Sequence, residues 1–222
     1  MLNRDEKISD EELNDILSLH PRFEKLNIKD AKLRTFITQD ADRQDMVQHV
    51  YDTTYGIVRD HQDTIVAIDD SIVRGTTLKQ SILTILDRLH PKKIIIVSSA
   101  PQIRYPDCYG IDMSRMGEFV AFEAAINLLK KNGMSHIIDE VYQKCLASIV
   151  LPKDEVENYV KAIYEPFTDE EISQEIARIV KPHNLNAELE VIFQTLDNLH
   201  TACPNHKGDW YFSGDYPTPG GN

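Results

Sequence analysis

Ile65-Val-Ala-Ile-Asp-Asp-Ser-Ile-Val-Arg-Gly-Thr-Thr77 is a short apolar run that ends in two carboxylates and then in a loop of small and hydroxyl-bearing residues. Ile65, Val66, Ala67 and Ile68 are apolar on both alternating faces, the pattern of a strand buried inside a parallel sheet. From Leu78 the apolar positions Ile82, Ile85, Leu86 and Leu89 recur at helical spacing and Pro91 closes the segment, so Thr76 or Thr77 falls near a helix N-terminus. Free backbone N–H groups and the positive end of the dipole favour a phosphate at such a junction. Asp69 and Asp70 repel a phosphate. Side by side at a strand's carboxyl end, they suit the hydroxyls of a sugar or a hydrated Mg2+. A ligand that carries a ribose, a phosphate and a metal-bound polyphosphate satisfies both halves of the stretch.

Outward from it, residues 92 to 99, with Ile94, Ile95, Ile96 and Val97, read as a second apolar strand entered after a helix of crossover length. Strand, helix, strand predicts a βαβ unit and a parallel sheet. The proline-rich segment 100–113 leaves that strand at its carboxyl end, the side on which open α/β sheets bind ligands. Backbone near Pro101, with Tyr109 or Asp112, is placed to border a pocket there. Upstream, Ser9-Asp-Glu-Glu12 is a capping box ahead of Leu13, Ile16 and Leu17. Residues 32 to 38 alternate like a strand, and 40 to 51 read as a helix capped by Asp40, whose lone His49 carries no chemistry. Downstream, 118–129, 136–146, 154–164 and 169–180 read as helices, the last opened by the capping box Thr168-Asp-Glu-Glu171. Residues 187 to 193 form a late strand. This divides the chain into an α/β domain, 1–135, and a mostly helical extension with a late strand and an irregular tail, 136–222.

Composition bounds the rest. The chain has 222 residues, 41% of them hydrophobic, which is ample for a core. A formal net charge of −12 argues against nucleic acid, whose backbone selects basic surfaces. Cys108, Cys145 and Cys203 fall at unrelated spacings and suit a reducing compartment. No apolar run is long enough to span a bilayer and no leader opens the chain, so a cytoplasmic protein without membrane contact is expected.

The nine residues Asp69-Asp-Ser-Ile-Val-Arg-Gly-Thr-Thr77 resemble the phosphoribosyl pyrophosphate (PRPP) loop of type I phosphoribosyltransferases. Arg-Gly-Thr-Thr after Ser71-Ile72-Val73 is similar to the glutamine amidophosphoribosyltransferase branch of that family. Further segments carry the same resemblance: Leu33-Arg-Thr-Phe-Ile37; Ile103-Arg-Tyr-Pro106 with Tyr109-Gly-Ile-Asp-Met113; the Glu118-Phe-Val-Ala run; and Phe212-Ser-Gly-Asp-Tyr-Pro-Thr218. The resemblance implies a doubly wound parallel sheet, truncated here, with a helical carboxyl-terminal extension. It implies that ammonia derived from glutamine displaces pyrophosphate from PRPP to give 5-phosphoribosylamine in purine synthesis. Purine nucleotides would inhibit, and the full-length enzyme would be a homo-oligomer.

In those terms Asp69 and Asp70 hold the ribose hydroxyls and the Mg2+ shell. The backbone of Ser71, Ile72, Val73, Arg74, Gly75, Thr76 and Thr77, with the two Thr hydroxyls, cradles the 5-phosphate. Arg74 screens negative charge, and Arg34 lies toward the pyrophosphate. Departures from the family are visible: His49 or Val50 stands where many members carry a basic residue, and Asp107 and Gly208-Asp-Trp-Tyr211 replace cysteines of iron–sulfur members. No iron–sulfur cluster is therefore expected. Zinc on Cys203, His200 and His206 would lack a fourth ligand. The family's amino-terminal Cys nucleophile has no counterpart at Met1-Leu-Asn3, and the first transferase strands are not evident. The expectation is a carboxyl-terminal part of such an enzyme, which hydrolyses no glutamine and turns PRPP over slowly or not at all. The rival reading is a non-catalytic sensor that binds PRPP or a purine nucleotide through the same loop.

Overall fold

The computed structural model describes residues 9–18, 27–29, 51–53, 56–107, 113–152, 155–206 and 208–218. In chain order its elements are α1 (Asp10–Ser18), β1 (Asn27–Lys29), β2 (Tyr51–Thr53) and β3 (Thr64–Asp69); a π-helix Leu78–Ile82 that runs into α2 (Leu83–Asp87); β4 (Lys93–Ser98); α3 (Val120–Lys131) and α4 (His136–Ser148); α5 (Lys161–Tyr164) and α6 (Asp169–Val180); β5 (Glu188–Phe193); α7 (Leu196–Ala202) and α8 (Trp210–Ser213). β1 and β2 pair antiparallel, Ile28 opposite Asp52. The main sheet is parallel, in the order β3-β4-β5, with Ile65 beside Ile94 and Ile94 beside Leu189. This is an α/β architecture. Its third strand comes from the stretch read as an extension, so the sheet draws on both sides of position 135.

One face of the sheet is covered. Ile94 and Ile96 are fully buried, and over them lie α3 and α6, which pack on each other while α6 also packs on β5. Ala121, Ala124 and Ala125 keep α3 slim, so Leu129, Ile172 and Ile176 close the gap with essentially no exposure. Each such aliphatic side chain contributes about 1.5 to 3 kcal/mol by leaving water.

The opposite face differs from the expectation of a strand buried on both sides. Val66 is 57% and Ile68 78% exposed, and Ile192 in the same row is 42% exposed. The reason is position: β3 is an edge strand among the described residues, and only its Ile65 and Ala67 reach the α3–α6 layer.

Other boundaries shift. Tyr51, read as the end of a helix, begins β2, while 40–50 and the 32–38 strand lie outside the described residues. Of the helix read over 154–164, α5 is the α-helical part among the described residues; residues 155–160 turn instead, with Glu155 N bonded to the Pro152 carbonyl and the Asn158 side chain donating to the Gly214 carbonyl. A side-chain bond to a remote segment outcompetes local helix propensity here. The capping box at α6 forms as read: Thr168 Oγ1 accepts from Glu171 N, and Glu171 Oε2 accepts from Thr168 N. The Thr168 amide and then its hydroxyl, both donating to Oε2, hold the Glu171 carboxyl below the usual range. No helix among the described residues is long and apolar enough to cross a membrane.

α3 and α6 are also joined by charge. Glu175, with a side chain only 4% exposed, accepts from Lys131 Nζ at 2.5 Å and from Arg178 Nε at 2.9 Å. The Arg178 hydrogen bond, more than the one from Lys131, holds its carboxyl below the ordinary range. A depressed folded pKa means stability that is present above the unfolded value and lost as pH falls through the folded one. Glu175→Gln is therefore expected to lower the unfolding free energy by about 1 to 2 kcal/mol at pH 7. Urea titrations of both proteins should converge as the pH is lowered below the carboxylate range; a difference independent of pH would show that packing, not charge, is what Glu175 supplies.

Candidate functional site

β3 ends at Asp69, and the chain must then turn away from the sheet edge before the helical residues 76–87 begin. Two sets of bonds shape that turn. Asp70 N donates to Asp69 Oδ1 at 3.0 Å and Ser71 N to Asp70 Oδ1 at 2.8 Å, so each carboxylate caps the amide that follows it. From the neighbouring strand end, Ser99 N donates to the Asp69 carbonyl and Ala100 N to the Asp70 carbonyl, at 2.9 and 3.0 Å. The acidic pair is thus fastened to the carboxyl end of β4.

The rest of the loop is fastened to α3 and α6. Ile72 is 3% exposed and belongs to the core, so its side chain anchors the loop. Val120 N, at the start of α3, donates to the Val73 carbonyl at 2.9 Å. Gly75 adopts φ +69°, and a Cβ placed on it would lie 2.6 Å from Val180 Cγ1 and 3.6 Å from Val120 Cγ2. Only glycine meets both demands. Lys79 N donates to the Gly75 carbonyl, which makes Gly75 the helix Ncap and leaves the amides of Thr76, Thr77 and Leu78 in the first turn, ahead of the intrahelical ladder. The turn that follows is widened, Leu83 N bonding to the Leu78 carbonyl.

Around this loop lies a cleft of about 750 Å³. Every residue from 69 to 77 except Asp70 lines it, and Leu78, Ile82 and Glu118 complete it. Asp70 is exposed at the rim. Burial pushes the Asp69 carboxyl up, and the neighbouring Asp70 charge adds to the rise against the backbone bond that lowers it. Such an electron-rich oxygen pair gains from a cation or a hydroxyl donor at its open side. Arg74 turns its guanidinium onto Glu118, Nε and Nη2 lying 2.8 and 2.6 Å from Oε2. Glu118, which the sequence places at the start of a helix and in the Glu-Phe-Val-Ala run, sits in a 3-10 turn ahead of α3, and nothing in its local pattern marks it as facing a loop 44 residues upstream. Arg34, Tyr109 and Asp112 lie outside the described residues.

Residues 101–107 are held by the carboxyl-terminal tail. Tyr211 O accepts from both Arg104 N and Tyr105 N, at 2.9 and 3.1 Å, and Tyr216 Oη donates to the Pro106 carbonyl at 2.6 Å. Arg104 stacks over Tyr164, whose hydroxyl donates to the Arg104 carbonyl at 2.9 Å. Burial pushes Tyr105 up to about 12 and Tyr164 higher still, so both remain neutral packing groups. His200 pairs with Asp209 at 2.9 Å and His206 Nδ1 accepts from Gly208 N; both are contacts within the tail.

No protein-family model matches the chain. It is 31% identical to the amidophosphoribosyltransferase of Haemophilus influenzae over 162 residues, which are 70% of this chain and 31% of that protein. The enzyme of the same name from Bacillus subtilis is 31% identical over 145 residues, 65% of this chain and 27% of the relative. That of Pseudomonas aeruginosa is 46% identical over 57 residues, 26% of this chain and 11% of the relative. The chain therefore spans less than a third of the length of these curated relatives. The solved structure of the glutamine PRPP amidotransferase from B. subtilis, complexed with ADP and GMP, covers 88% of this chain and 32% of its own at 24% identity, with a TM-score of 0.45.

Two outcomes are expected from the site's geometry. Gly75→Ala should cost on the order of 2 to 4 kcal/mol, the sum of left-handed strain and a clash with a core valine. The cost of a larger residue here thus falls on the fold as well as on any ligand. Val180→Ala in the same protein should restore part of that loss; thermal unfolding of the single and double variants decides. Asp69 has a raised folded pKa, so its ionised form costs stability that returns as pH falls. Asp69→Asn should therefore raise the unfolding midpoint at pH 7, with a gain that shrinks toward acid pH. A midpoint lowered at pH 7 would contradict the assignment of burial as the dominant cause.

Proposed function

From its homology to the amidophosphoribosyltransferases over 162 residues, we propose that this chain binds PRPP in the 69–77 cleft and forms part of an enzyme making 5-phosphoribosylamine and pyrophosphate from PRPP and glutamine-derived ammonia. The supporting observation is one strand end that carries Asp69 in the cleft wall, with Asp70 exposed beside it, and leads into a loop whose Thr76 and Thr77, in the first turn of a helix, line the same cleft. The two halves match the two ends of a phosphorylated ribose. Asp69 and Asp70 accept hydrogen bonds from the 2- and 3-hydroxyls, fixing the ring. The amides of Thr76 and Thr77 and their hydroxyls take the 5-phosphate, aided by the helix dipole. Arg74, the cation that lines the cleft among the described residues, supplies positive charge to the same group.

The hard carboxylate oxygens of Asp69 and Asp70 suit Mg2+. When bound, that ion would neutralise pyrophosphate charge. What the chain's own residues do is position: they hold the ribose so that C1 faces the nucleophile, and they stabilise charge as the leaving group departs. Arg34, read as lying toward the pyrophosphate, belongs to the same proposal, as do purine nucleotides as inhibitors and a homo-oligomeric enzyme.

A second reading is favoured by one observation. Arg74 is paired with Glu118 rather than committed to the cleft, which suits a module that senses an anion as well as one that turns it over. Pyrophosphate release with PRPP, Mg2+ and ammonium present separates an enzyme from a sensor.

Calorimetric titration with PRPP in Mg2+ tests the binding reading. Wild-type protein is expected to bind, and Asp70→Asn to weaken binding about tenfold or more, since one charge-assisted hydrogen bond is typically worth about 1.5 to 3 kcal/mol. Equal affinities would remove the carboxylate pair from the site.

A further inference from the structure

Glu118 is a carboxylate in the wall of the cleft proposed above to take a phosphate. Left alone it would repel the ligand. It is not left alone: Arg74 Nε donates to Oε2 at 2.8 Å, Nη2 lies 2.6 Å from the same oxygen, and Arg115 Nη1 lies 3.8 Å from Oε1. Glu118 therefore sits between two cations, one from the loop and one three residues before it. Its register against the loop is set by backbone, because Val120 N, two residues on, is bonded to the Val73 carbonyl, one residue before Arg74. The pair spans 44 residues of sequence, yet it closes a ring of only a few residues in space.

The pair is also weak enough to exchange. Arg74 and Glu118 side chains are 53% and 39% exposed, and ion pairs with that much solvent are worth little. A phosphate dianion offers Arg74 a stronger, charge-assisted set of acceptors. Arg115 remains beside Glu118 after Arg74 leaves.

We propose that Glu118 is a positioning and specificity residue of this cleft: it holds Arg74 across the loop until a phosphate dianion takes the guanidinium in its place. The inference rests on the reading of residues 69–77 as a phosphate cradle and adds a partner exchange to it. A neutral ligand cannot draw Arg74 away, so the exchange rewards the phosphate specifically. Glu118 lowers affinity for every anion and leaves affinity for neutral ribosides nearly unchanged. In exchange it keeps an unpaired guanidinium from standing in the unliganded cleft.

The test uses the full chain in four forms, wild type, Glu118→Gln, Arg74→Gln and the double variant, titrated with AMP at fixed ionic strength and with adenosine as the neutral control. Glu118→Gln should bind AMP about two- to fivefold more tightly than wild type, the scale of an exposed ion pair, with adenosine unchanged. Glu118→Asp, which keeps the charge, should stay within twofold of wild type. In the Arg74→Gln background the gain from Glu118→Gln should fall to half or less, because only screened repulsion is left to relieve. An equal gain in both backgrounds would reduce Glu118 to a general field effect and overturn the exchange. No gain, or weaker binding by Glu118→Gln, would overturn it as well and make Glu118 a group that aims Arg74 at the ligand. Absence of AMP binding in all four proteins would overturn the phosphate cradle itself, and the exchange with it.

Discussion

The candidate site depends on a close approach: the backbone of Gly75, at φ +69°, passes so near Val180 that no side chain fits between them. Val180 ends α6, and the same helix end is tied down when Lys79 Nζ donates to the Ile179 carbonyl at 3.1 Å. A loop that must bend left-handed to present its amides is therefore held by an element about a hundred residues further along the chain. The loop cannot relax away from its shape without opening the contact between α6 and the start of α3. Because α6 packs on both α3 and β5, the cradle, the helical layer and the third strand stand or fall together.

The site is built from strand ends because a parallel sheet points all its carboxyl termini in one direction. Asp69 and Asp70 owe their placement to backbone bonds from Ser99 and Ala100 as much as to their own strand. The segment after β4 is in turn fixed by the tail, through Tyr211 and Tyr216, and by Gln102, whose amide donates to Ser173 Oγ at 2.9 Å and to the Asp169 carbonyl at 2.7 Å. Polar groups at this end of the sheet are bonded to one another, and Asp69 and the first helical turn line the cleft while Asp70 stays exposed beside it.

Electrostatics at the cleft are arranged in opposed pairs. Burial, with a smaller contribution from the neighbouring Asp70, raises the Asp69 carboxyl, and Arg74 is offset by Glu118. The chain's net charge of −12 does not conflict with an anionic ligand, because the potential that matters is set within a few ångströms.

Much of this was legible in sequence, for reasons that are local. Strand β3, the turn at Asp69-Asp70, the glycine at 75 and the helix after it follow from period, turn chemistry and dipole within the single stretch 65–91, and the cap at Thr168 needs only residues 168–171. What only tertiary structure decided lies in contacts that short-range pattern does not encode. Ile65 to Ile68 read as buried on both faces, but which face is covered depends on where α3 and α6 come to rest, and Val66 and Ile68 are exposed. Residues 154–160 read as helix, but Asn158 bonds to a glycine carbonyl in the tail. Glu118 reads as a helix start, yet it faces a loop 44 residues earlier. In each case free energy from a partner distant in sequence exceeded a local preference worth only a few tenths of a kilocalorie per residue, roughly the scale of helix propensity.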